Sequence, residues 1–89
     1  MKQPIFTFDD EANGWLSEPF VVKGKASVEI ELESRAPLLP MKEEESGEYA
    51  IYGQSPKESD NYKFTITSNE EVVLKLATPV EVIRCIIFD

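Results

Sequence analysis

Ala26-Ser27-Val28-Glu29-Ile30-Glu31-Leu32-Glu33 alternates apolar and polar side chains without a break. A period of two is the mark of a β-strand with one face in a core and the other in water. Ala26, Val28, Ile30 and Leu32 therefore point inward, and Ser27, Glu29, Glu31 and Glu33 outward. The same period returns in Asn61 to Thr67, with Tyr62, Phe64 and Ile66 inward, and in Glu71 to Ala77, with Val72, Leu74 and Leu76 inward. Ser68-Asn69-Glu70 between them is a short polar break, which predicts a hairpin. Shorter strands are predicted at Ile5 to Phe8, Pro19 to Lys23 and Glu48 to Gly53, set off by the turn signals Asn13-Gly14, Gly24, Ser46-Gly47 and Ser55-Pro56. Arg35 to Gly47 carries Pro37, Pro40 and the run Glu43-Glu44-Glu45, and is expected to be a loop holding one short strand around Leu38 to Met41. No helical period competes. The expectation is an all-β chain, a single antiparallel β-sandwich or jelly-roll-like domain of seven or eight short strands spanning residues 1–89.

Size and charge narrow the function. A chain of 89 residues and 10.1 kDa has room for one core, and the usual area scaling gives it a folded surface of about 5,300 Å². With 17 acidic and 9 basic residues the formal net charge is -8. The basic residues are scattered from Lys2 to Arg84, so the clustered cations that displace counterions from a phosphate backbone are missing, and nucleic acid is set aside as a partner. Anionic membranes are set aside for the same reason. No apolar run reaches the ~20 residues of a membrane helix, and Met1-Lys2-Gln3-Pro4 leads straight into strand-like sequence without the apolar centre of a signal peptide.

The last strand, Val80 to Phe88, is apolar on both sides: Val80, Val82, Ile86 and Phe88 share one parity, and Ile83, Cys85 and Ile87 the other. Either a β-bulge or a central position covers both faces, or an edge position leaves an association surface. Val80, Val82, Ile83, Ile86, Ile87 and Phe88 are therefore the interface candidates. Arg84 within this run is expected to pair with an acidic residue. Cys85, the single cysteine, has no disulfide partner in the chain and reads as a buried core thiol.

Catalytic chemistry finds little to stand on. The chain has no histidine, which removes the usual general base of serine and cysteine nucleophiles and the commonest transition-metal ligand. Glu29, Glu31 and Glu33 lie along one exposed strand face, whereas a retaining glycosidase needs two carboxyls facing each other across a cleft at about 5 Å. Asp9-Asp10-Glu11-Ala12-Asn13-Gly14 partly resembles a calcium loop, with Asp9, Glu11 and Asn13 as oxygen ligands before a sharp turn. Its twelfth position is Phe20 where an EF-hand needs Glu, and neither flank is helical. The chain is expected not to be an enzyme and to need no cofactor, with calcium at Asp9, Glu11 and Asn13 as the one metal to test. For ligand binding, Trp15, Tyr49 and Tyr52 are the candidates for stacking on a sugar ring, one of the two tyrosines being exposed because they fall on opposite sides of a strand.

Val22-Lys23-Gly24-Lys25-Ala26-Ser27-Val28-Glu29-Ile30, Ser46-Gly47-Glu48-Tyr49, Asn61-Tyr62-Lys63-Phe64 and Val72-Val73-Leu74-Lys75-Leu76 together resemble the small β-sandwich modules of phage virions, of the capsid decoration and head-fibre type. The likeness covers about residues 19 to 88. Those modules often carry an Asp-Gly and Trp loop after the first long strand, where this chain has Arg35-Ala36-Pro37-Leu38-Leu39-Pro40. The resemblance implies a non-catalytic structural or assembly protein acting through protein-protein contacts, as a homo-oligomer or on a virion lattice. It would be found in the virion, or in the host cytoplasm during assembly. The alternative is a carbohydrate-binding or adhesion-associated module using Trp15, Tyr49 and Tyr52, secreted or at a cell surface if an export signal has been removed.

Overall fold

A computed structural model describes residues 1–44, 46–52 and 57–89. Among these the chain forms ten strands and no helix: β1 (Phe6–Asp9), β2 (Gly14–Ser17), β3 (Phe20–Val21), β4 (Gly24–Ala36), β5 (Leu39–Glu43), β6 (Tyr49–Ile51), β7 (Ser59–Ser68), β8 (Glu71–Val72), β9 (Leu74–Ala77) and β10 (Val82–Phe88). They build a five-stranded sheet in the order β1-β2-β9-β5-β6, a three-stranded sheet β10-β4-β7 and a two-stranded sheet β3-β8. Every pairing is antiparallel. The all-β expectation holds. The count of seven or eight strands in one sandwich does not: the described residues form ten strands in three sheets.

Two features of the chain produce the difference. Gly14-Trp15-Leu16-Ser17 is too short to show a period, yet it pairs on both sides, with β1 and with β9. The close fit favours Gly14, because a Cβ there would stand 3.2 Å from the Leu76 carbonyl oxygen and 3.0 Å from Lys75 Cε, and these neighbours would have to give way. Val73 then divides the predicted Glu71 to Ala77 strand into β8 and β9, which serve different sheets.

The predicted hairpin across Ser68-Asn69-Glu70 is not formed. β7 pairs with β4, β8 with β3, and β9 runs between β2 and β5. Pairing β7 with β9 would place Tyr62 and Ile66 in the same layer as Leu74 and Leu76. Carried to another sheet instead, Val72, Leu74 and Leu76 join Val28, Ile30, Ile66 and Ile87 in one buried cluster. The turn is held by Asn69 Oδ1, which accepts the N–H of Gly24 at 3.1 Å, where the backbone is left-handed (φ 88°) and glycine is favoured. The folded surface is 5531 Å², close to the size-based value.

Cys85 is buried in that cluster, as its apolar neighbours suggest. Burial pushes its thiol from 9.0 up to about 12. Below about pH 8 the thiol is neutral whether the chain is folded or not, and contributes nothing to the pH dependence. Between 9 and 12 the unfolded chain releases the proton while the folded chain keeps it, so stability falls as pH rises, by up to about 1.4 kcal/mol per pH unit. Urea midpoints are expected to decline between pH 8.5 and 11, and Cys85→Ala to flatten that decline. An unchanged slope in the variant would show that the thiol is not the titrating group.

Candidate functional site

β10 lies at one edge of the three-stranded sheet, with β4 on its inner side. The strand is read correctly as apolar on both sides, but its parity changes midway. The β10–β4 register shifts between Val82 and Arg84, so Ile83 is the extra residue of a bulge. Val82 consequently packs on the core, together with Val80, although Ile86 and Phe88 beyond the bulge do not. Cys85 and Ile87 face inward and are buried. The six interface candidates thus separate: Ile87 is core, Val80 and Val82 are half-buried against it, Ile86 is half-buried on the outer face, and Ile83 and Phe88 are exposed at 54% and 40%.

The segment before β1 adds a residue that periodicity missed as part of this surface. Lys2 makes a two-way backbone bridge with Ile87, at 2.9 and 2.8 Å. Two residues on, Pro4 has no N–H with which to continue a ladder, and the chain crosses to the five-stranded sheet. There Ile5 accepts the Glu18 N–H at 3.0 Å and donates its own N–H to Glu18 Oε1 at 3.1 Å. Ile5 is left 69% exposed. It lines one shallow groove together with Gln3, Pro4, Val82, Ile83 and Arg84. The proline beside an isoleucine was the available signal.

The outer face of the three-stranded sheet carries a second shallow groove, lined by Glu29, Glu31, Asn61, Lys63, Arg84 and Ile86 among others. Its charges are matched across the strands. Arg84 Nη2 donates to Glu31 Oε1 at 2.8 Å, the acidic partner expected for it, and Lys63 Nζ lies 3.2 Å from Glu29 Oε1. Glu29 and Glu31 are thereby placed in cross-strand ion pairs, not across a cleft from each other.

The three sugar-stacking candidates are not brought to one platform. Trp15 sits on the core side of the five-stranded sheet, edge-on to Phe8 with centroids 5.4 Å apart at 73°. Tyr52 packs on the core and stacks on Phe64 at 6.2 Å. Its hydroxyl is raised to about 12 by burial first and by Glu44 second. Tyr49 points the other way, half-buried beneath Lys75, whose Nζ is 4.5 Å from the ring centroid. Burial, followed by the charges of Glu43 and Asp9, raises its hydroxyl pKa. Gly53, Ser55-Pro56 and Glu45 lie outside the described residues.

At the calcium candidate, Asp9 Oδ1 accepts the N–H of Ala12 at 2.9 Å, and Asn13 takes the left-handed backbone (φ 52°) that closes the β1–β2 turn. Among the described residues no group of three or more His, Cys, Asp or Glu side chains is placed to hold a metal ion, and no helix is long and apolar enough to cross a membrane. No known protein family, no curated protein and no solved structure matches the chain significantly.

Proposed function

We propose that this chain is a non-catalytic all-β module that acts through protein-protein contacts, self-associating or docking on a lattice as virion decoration and fibre proteins do. The observation that carries this is a pair of uncovered aliphatic side chains on one groove: Ile5 and Ile83, 69% and 54% exposed, both line it. Bulky aliphatic groups cost free energy in water, so two of them side by side at the edge of a small acidic domain favour a covered state. The ion-paired faces and the dispersed aromatics leave the assembly role better supported than sugar binding.

Light scattering after size exclusion tests this over a wide concentration range. The wild-type mass is expected to rise above 10.1 kDa with concentration, and Ile83→Asp, at an exposed bulge position, to lower it without loss of fold. A wild-type chain that stays monomeric throughout, or an Ile83→Asp chain that associates equally well, would remove the support for this surface.

A further inference from the structure

The far side of the three-stranded sheet ends in β7, and its open edge is of another kind from that of β10. β10 is guarded: the Lys2 bridge occupies one end, Pro4 interrupts the ladder, and the bulge at Ile83 breaks its register. Proline, bulges and a short covering segment are the usual protections of a sheet edge. Among the described residues β7 shows none of these between Asn61 and Ser68. It runs ten residues, its register with β4 is unbroken from Asn61 to Ser68, and among the described residues no strand pairs with its far side. Tyr62 to Thr67 contains no proline or glycine and is rich in β-branched and aromatic residues, the composition that seeks strand partners.

Charge points to what that partner is. On a chain of net charge -8, most of the surface repels a second copy, but β7 carries one Asp and one Lys. That lysine, Lys63, is matched by Glu29 at 3.2 Å while its side chain remains 80% exposed. We infer that β7 is the site at which a second copy of this chain adds by antiparallel strand pairing, joining two three-stranded sheets into one of six strands about a two-fold axis at Phe64. This goes beyond the contact role assigned to β10 and uses a different surface.

The register follows from the residues. An axis at Phe64 keeps inner side chains opposite inner ones, Tyr62 to Ile66, and outer ones opposite outer, Lys63 to Thr65 and Asn61 to Thr67, with no like charges opposed. Shifting the axis to Lys63 would set two lysines face to face, which is destabilising. Strand addition of this length buries less than the ~800 Å² per partner of a standard stable interface, so the dimer forms with rising concentration.

Sedimentation equilibrium in the Ile83→Asp background, where the β10 surface is disabled, tests this without depending on that surface. A monomer–dimer equilibrium is expected. Thr65→Glu places an acid opposite the partner's Lys63 twice by symmetry and is expected to tighten the dimer, and Thr65→Lys to weaken it, each by roughly 2- to 30-fold at low salt. The sign is diagnostic, since general repulsion between copies of an acidic protein gives the reverse. Both variants change an exposed side chain, and circular dichroism verifies the fold. A monomer at every concentration, equal constants for both variants, or the reversed order would overturn the proposal. Wild-type association abolished by Ile83→Asp alone would overturn it too, while leaving the β10 surface supported.

Discussion

Leu76→Ala is expected to remove about 2–5 kcal/mol of folding stability, the range for truncating a fully buried leucine. Leu76 has no exposed surface and sits on β9, the middle strand of the five-stranded sheet, between Trp15 of β2 and Pro40 of β5. Strands on both sides limit how far the backbone can move to fill the void, which places the cost toward the upper part of the range. A domain of this size has about 4–13 kcal/mol in total, so a third or more of the margin is lost. Urea denaturation followed by far-ultraviolet circular dichroism reads this directly, as a midpoint lowered by more than about 1 M. A drop under about 0.3 M would mean that the core is not packed around β9 as described.

Tyr62→Phe is expected to cost about 1–3 kcal/mol, although it removes a single oxygen, because the groups left behind lose their partner. The Tyr62 hydroxyl donates to the Ala36 carbonyl at 2.5 Å, lies 3.2 Å from the Lys57 carbonyl, and accepts the Ser59 N–H at 3.0 Å. It therefore fastens the start of β7 to the end of β4, across the stretch where their register slips between Glu31 and Ala36. Amide exchange at Ser59 should accelerate in the variant, while exchange at Val28 and Ile66, in the regular part of the same ladder, changes only by the global loss. Unaltered exchange at Ser59 would show that the hydroxyl does not hold that corner.

Periodicity made the three long strands legible, because Ala26 to Glu33, Asn61 to Thr67 and Val80 to Phe88 carry enough residues for a period of two, or for an apolar run, to stand out. The buried positions followed from it: Ala26, Val28, Ile30, Leu32, Ile66, Leu74 and Leu76 are all in the core. What a period cannot carry is the identity of a strand's neighbour. Val72, Leu74 and Leu76 satisfy their burial equally well beside β7 or opposite it, and only the packing of the whole chain decides for the second. The outward surface was partly legible for the same reason. Ile83 and Phe88 could be singled out as apolar, but a one-residue bulge reverses the parity on which inner and outer were assigned, and Ile5 joins them only because Pro4 turns the chain from one sheet to the other. The open edge of β7 leaves no mark in the sequence, since an edge strand and a central strand with one solvent face alternate alike.

The bridge between Lys2 and Ile87 leaves the first and last residues side by side, with the Met1 ammonium 3.7 Å from the Asp89 carboxylate and Lys2 paired to the same group. The backbone is in effect a ring with one narrow gap. A linker of a few residues would close it with little loss of entropy, and the chain could then be opened at the exposed Ser46-Gly47 turn instead as a circular permutant with every strand pairing retained. Anything fused to either end emerges at the same spot, at the foot of β10, and so crowds one patch of the molecule while the opposite edge, β7, stays clear.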